Sequence, residues 1–120
     1  MRLYRPVGAA ELALIEQSGW TRFPPRLPEQ PIFYPVLLFA YAEQIARDWN
    51  SRRGSAEVGH VVQFDIADEV AARYPVQTAG SAALHRELWI PADDLDAFND
   101  AIIGAIELIA SYRDGERTEV

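Results

Sequence analysis

The stretch WTRFPPRLPEQP, residues 20 to 31, carries Pro24, Pro25, Pro28 and Pro31. Each proline fixes its own φ, lacks an N–H, and pushes the residue before it out of the helical region. Such a run can be neither a helix nor a central strand, so it is expected as an extended, polyproline-like loop. Its prolines lower the entropy lost on ordering, which predicts a stiff loop presenting Arg22 and Arg26. Regular structure has to be built on either side of it.

Before the loop, RLYRPV alternates apolar and polar residues as a half-buried strand does. Gly8 breaks that alternation, and AAELALIEQSG follows with Ala9, Leu12 and Ile15 at helical spacing and Gly19 as a stop. After the loop, IFYPV reads as a brief strand that Pro35 confines to an edge or a bulge. LFAYAEQIARDWN sets Phe39, Ala42, Ile45, Ala46 and Trp49 on one helical stripe, and SRRGS closes it as a solvated turn. GHVVQFDI is a strand with Val62, Phe64 and Ile66 facing one way, ADEVAARY a short helical turn, and PVQTAG a further strand. HRELWI is a strand ended by Pro91; ADDLDAFNDAIIG has the acidic start of a helix, and AIELIASY reads as a last strand. Five or six short strands and about three helices, without regular alternation, define an α+β fold.

A chain of 120 residues that is 49% hydrophobic fills one core and not two. With no cysteine, neither disulfides nor thiolate chemistry is open to it. The start MRLYRPVGAAELAL lacks the apolar centre of a signal peptide, and no run approaches the roughly 20 apolar residues of a membrane span, so a cytoplasmic, membrane-free location is expected. A net charge of −7 opposes a nucleic-acid backbone as partner. All eleven basic residues are arginine, which either reflects codon usage or supplies forked donors for a phosphate or carboxylate.

The most informative strand is HRELWI. Period-two geometry puts His85, Glu87 and Trp89 on one face and Leu84, Leu88 and Ile90 on the other. That first face is either plain solvent surface or one wall of a site. Walker, dinucleotide-fingerprint, zincin and serine-elbow motifs do not occur. His60 and His85 fall on separate strands with no obvious third donor, so no metal site is expected.

An arginine in the first strand (LYRPV), an aromatic strand running into a helix (IFYPVLLFAYAEQIA) and a late strand with a glutamate (HRELWIP) resemble the ADP-ribosyltransferase superfamily. Nearly the whole chain is similar to small bacterial proteins catalogued as "ADP-ribosylation/crystallin J1". The resemblance covers about residues 2 to 112, implying one domain over 1–112 and a polar tail over 113–120. It implies two short, roughly perpendicular sheets with the first strand and the HREL strand bordering one cleft.

By position, the resemblance implies that Arg5 binds the ribose or phosphate side of NAD, that Tyr34 stacks on nicotinamide where a Ser-Thr-Ser strand is usual, and that Glu87 is the catalytic carboxylate. His85 stands beside it where Gln or Glu is usual, and with Trp89 would line the pocket; Arg22 and Arg26 on the loop are candidates to clamp a pyrophosphate. The expected function is NAD-dependent ADP-ribosyl transfer, with a protein among the candidate acceptors, or NAD glycohydrolysis; the alternative is a nucleotide- or protein-binding module without turnover. A third reading makes the proline-rich loop, with Trp20 and Phe23 exposed, a protein contact surface.

Overall fold

The computed structural model describes residues 1–52 and 58–118. Its elements are β1 (Arg2–Gly8), α1 (Ala9–Gln17), β2 (Ile32–Phe33), α2 (Phe39–Asp48), a 3₁₀ turn (Asn50–Arg52), β3 (Val58–Ile66), α3 (Asp68–Ala71), β4 (Val76–Thr78), β5 (Arg86–Leu88), β6 (Ile90–Pro91), a second 3₁₀ turn (Ala92–Asp94), α4 (Leu95–Asp100), β7 (Ile102–Arg113) and β8 (Glu116–Thr118). The fold is α+β. β1, β3, β7 and β8 form a four-stranded antiparallel sheet in that order, while β2 pairs with β6 and β4 with β5. The expected solvated turn at 51–55 lies for its greater part outside the described residues.

The alternation in β1 works as its sequence requires: Leu3, Arg5 and Val7 are buried and the residues between them are not. Gly19 at φ 75° and Trp20 at φ 63° turn the chain after α1, and the Trp20 carbonyl accepts the Ile106 N–H of β7 at 2.8 Å. The proline-rich loop then runs inward. Phe23 is 2% exposed and packs its ring 4.9 Å from both Phe33 and Phe64, with Phe98 closing the cluster at 5.9 Å from Phe33. Trp20 is also packed against this core. The expectation of two exposed aromatics on the loop is therefore corrected: with an extended backbone that makes no ladder, the loop is anchored by its side chains.

Asn99 completes that anchor. Its side chain accepts the Phe23 N–H at 2.9 Å and donates to the Phe23 carbonyl at 3.0 Å, and it is itself buried. Both backbone groups of a ladder-less residue are thereby satisfied away from water. Asn99→Ala should cost about 2–3 kcal/mol by leaving the pair unsatisfied, seen as a lower denaturant midpoint at unchanged m-value. A midpoint equal to wild type would show that the loop does not depend on this anchor.

Val36 makes isolated bridges to Tyr4 on one side and Glu87 on the other, so residues 35–37 lie between β1 and β5. Tyr4 and Val36 exchange both backbone hydrogen bonds, at 2.9 and 2.8 Å, while Leu88 N–H reaches Pro35 O at 2.9 Å and Leu37 N–H reaches Arg86 O at 3.1 Å. Pro35 has no N–H, so the ladder begun by β2 cannot continue through it and the chain changes partners there. The β4–β5 ladder is thus stitched to the main sheet through Val36, while β2 and β6 form a separate two-stranded ladder. There are four helices among the described residues instead of about three.

α2 covers the other face of the sheet, burying Ala42 and Ala46 against Val61, Ala110 and Tyr112. At Trp49 the expected helical stripe ends on a residue 64% exposed. Gly59 of β3 sits directly under α2: a Cβ built there would lie 2.1 Å from the Ala46 carbonyl oxygen. Residues 116–118, expected in a polar tail, pair back on Ser111–Arg113 through Asp114 and Gly115, both at positive φ. Among the described residues no helix is long and apolar enough to cross a membrane.

His60 and Ser111 face each other across β3 and β7, Nδ1 to Oγ at 2.7 Å, and burial lowers the His60 pKa below its ordinary value. A group with a depressed folded pKa of this kind keeps its full stabilising contribution while neutral, above the unfolded value near 6.5, and loses it as the pH falls through that value toward the folded one. The melting temperature should therefore drop more for wild type than for His60→Gln between about pH 7.5 and about pH 5. Parallel curves for the two proteins would remove His60 as the cause.

Candidate functional site

Because β1 and β5 flank Val36, their side chains meet over it. A cleft of about 450 Å³ is lined there by Arg5, Tyr34, Val36, Ile45, Glu87 and Trp89, with Pro6 at its edge. Four of the residues singled out from the sequence, Arg5, Tyr34, Glu87 and Trp89, are thus brought to one place. Tyr34 and Trp89 are 40% and 44% exposed and meet edge to face, ring centroids 6.4 Å apart, at the mouth. The surrounding backbone explains their outward aim: Tyr34 and Trp89 occupy the breaks that follow β2 and β5, where neither ladder holds them.

Glu87 lies at the wall of the cleft, and its face is not the solvent surface that alternation alone allows. It is 8% exposed. One carboxylate oxygen accepts the Tyr41 hydroxyl at 2.8 Å, the other the Trp89 indole N–H at 2.7 Å. Burial, and then the bond to Glu87, push the Tyr41 pKa up to about 12, so Tyr41 stays a neutral donor throughout the physiological range. Two neutral donors hold the carboxylate without cancelling its charge, and each oxygen keeps a lone pair for a further partner. Such a group can accept a hydroxyl from a ligand or stabilise positive charge beside it.

Arg5 is more committed than its place in the cleft implies. Its Nε and Nη2 donate to the two oxygens of Glu11 at 2.7 and 2.9 Å, Nη1 donates to the Tyr34 carbonyl at 3.3 Å, and the guanidinium lies 4.5 Å from the Phe33 ring centre. Buried to 8% exposure, it is neutralised inside the protein, so a role in binding phosphate would have to use the donors left over. Its main visible work is to tie the first turn of α1 to the strand break at Tyr34.

His85 and Arg26 are not in the cleft lining. His85 precedes β5 in a turn: the expected six-residue strand is only Arg86–Leu88, because the Ala79 and His85 backbones close a tight loop through Ser81. Its Nδ1 accepts the Ser81 N–H at 2.9 Å, which leaves Nε2 to donate to Gln44 Oε1 at 3.0 Å, and its ring stands on Tyr41 at 4.9 Å. As a catalytic candidate it is displaced; as a support for the tyrosine that holds Glu87 it is well placed. Arg26 faces a separate cavity. Arg22, also on the loop, pairs with Asp100 at 2.6 Å on α4.

Tyr41 and Glu11 were invisible as site residues in the sequence. Tyr41 sits beside the apolar stripe of α2 with a polar tip, and Glu11 stands six positions after Arg5 at a helix start; these are weak signals until the fold joins them. Among the described residues no group of three histidine or acidic side chains is placed to hold a metal ion. Compared with family models, with curated proteins and with solved structures, the chain matches none.

Proposed function

We propose that the cleft binds NAD as a substrate, nicotinamide riboside end inward, and cleaves or transfers at the bond between nicotinamide and ribose. The observation that carries this reading is the Glu87 carboxylate, buried at the wall of a 450 Å³ cleft and fixed by two neutral donors beside the open rings of Tyr34 and Trp89. Breaking the bond builds positive charge on the sugar, which a fixed carboxylate stabilises while it accepts the ribose hydroxyl. Water, or an acceptor nucleophile, adds at the anomeric carbon; the electrons of the broken bond neutralise the pyridinium, and the nucleophile gives up its proton to solvent. Tyr34 and Trp89 offer the aromatic faces on which a cationic ring rests.

A second reading, binding without turnover, is supported by Arg5. Its guanidinium is spent on Glu11 instead of being presented to a phosphate. One experiment separates the two: the protein is incubated with NAD, and released nicotinamide and retained nucleotide are measured on the same sample. Release that depends on Glu87 supports cleavage, saturable binding without release supports the second reading, and the absence of both removes NAD from the cleft.

A further inference from the structure

Two guanidiniums share the ring of Phe33, Arg5 at 4.5 Å and Arg26 at 6.0 Å from its centroid. Among the described residues the first is ion-paired directly, whereas Arg26 feels Glu11 only at longer range. Glu11 gives both oxygens to Arg5, and among the described residues no carboxylate pairs with Arg26. The Arg26 Nε is walled in with no acceptor, whereas its terminal nitrogens are neither walled in nor hydrogen-bonded to any described residue. Burial, and then the neighbouring charge of Arg5, lower the Arg26 pKa, against a smaller opposing pull from Glu11 and Tyr34.

Arg26 lines a second cavity, of about 420 Å³, with Leu27, Pro28, Pro31, Pro91 and Asp93 among its walls. These walls are fixed without any ligand: the Gln30 N–H closes a turn on the Leu27 carbonyl at 2.8 Å, and the Ala92 N–H ties the 3₁₀ turn to the Pro31 carbonyl at 2.8 Å. A preformed hollow that sets the apolar Leu27, Pro28, Pro31 and Pro91 beside the polar Arg26, Gln30 and Asp93 offers a small molecule both apolar and charged contacts. Asp93 faces the same hollow and pairs with no described residue, so it opposes a doubly charged phosphate and favours a ligand that brings an amine.

We propose that this cavity is a binding site for a small organic carboxylate with an apolar body, an apolar α-amino acid being the ligand that matches Arg26, the prolines and Asp93 together. The carboxylate takes the two terminal nitrogens of Arg26 end-on, the side chain lies on the prolines, and the amine points toward Asp93. The site is separate from the cleft at Glu87 and does not depend on what that cleft binds.

The test is a nuclear magnetic resonance titration of the full chain, following the Arg26 Nε–H signal, with leucine, isocaproate, isoamylamine and inorganic phosphate as probes. Leucine and isocaproate should shift the signal saturably; isoamylamine, which lacks the carboxylate, and phosphate should not. Arg26→Lys keeps the charge but not the fork and should weaken leucine binding roughly tenfold or more. Arg26→Met keeps the stem over Phe33 and should abolish binding, monitored through backbone amides, with circular dichroism showing the fold retained. No saturable shift with either carboxylate, phosphate binding as tight as leucine, or undiminished binding by a folded Arg26→Met protein would each overturn the assignment.

Discussion

Gly59→Ala is expected to remove more than about 3 kcal/mol of stability, at or above the upper end of ordinary overpacking. The added Cβ would meet the carbonyl oxygen, carbonyl carbon and Cα of Ala46 at 2.1, 2.8 and 3.1 Å, all of them backbone. No side chain can rotate away, so α2 as a whole must lift from the sheet and expose Ala42, Ala46 and Val61. Against a total stability of about 5–15 kcal/mol the loss is large, and it should appear as a melting temperature lower by roughly ten degrees or more. Gly8 is the matched control, since it pairs with Gly59 in the sheet yet has nothing within 4 Å of a built Cβ. Gly8→Ala should stay within about 0.5 kcal/mol of wild type. Equal melting temperatures for the two variants would refute the close approach of α2.

The second large effect is on turnover. If Glu87 stabilises the developing charge on the ribose, Glu87→Gln should lower the rate of nicotinamide release by on the order of a hundredfold or more while NAD still binds. The structure changes what this variant does to the fold. Glu87 is buried and accepts from Tyr41 and Trp89, so the amide of glutamine must turn one N–H toward a group that now donates. The Tyr41 hydroxyl can rotate to accept it and the indole cannot, which limits the cost to about 1 kcal/mol. Glu87→Leu strands both donors and should cost more than Glu87→Gln by about another kcal/mol or more. Release unchanged in Glu87→Gln would sink the catalytic reading, whatever the stability shows.

Much of the fold was legible because local patterns were strong. The alternation in RLYRPV, the Val62, Phe64 and Ile66 face of β3 and the acidic start of the helix at 95–100 all appear where periodicity and helix electrostatics put them. What sequence pattern could not supply was long-range pairing. Nothing local to Val36 says that it will sit between two strands, and period-two reasoning ran HRELWI as one strand when the chain breaks at Trp89 to change partners. The inward turn of Phe23 was hidden for the same reason, because its satisfaction depends on Asn99, 76 positions away. At the site, the family resemblance and the alternation of HRELWI pointed to Arg5, Tyr34, Glu87 and Trp89 as neighbours, but not to the acid that occupies Arg5 or to the tyrosine behind Glu87.

The bridging of residues 35–37 has a kinetic consequence. The floor of the cleft is held by backbone hydrogen bonds on both flanks, to Tyr4 on one and to Arg86 and Leu88 on the other. A floor bonded this way cannot swing open as a flap without breaking the sheet, so access rests on the two unladdered aromatics at the mouth, Tyr34 and Trp89. Exposed side chains of this kind reorient in picoseconds to nanoseconds, far faster than lids and hinges move. Ligand entry and exit would then be limited by diffusion and desolvation, and the cleft would discriminate by the fixed shape it already has.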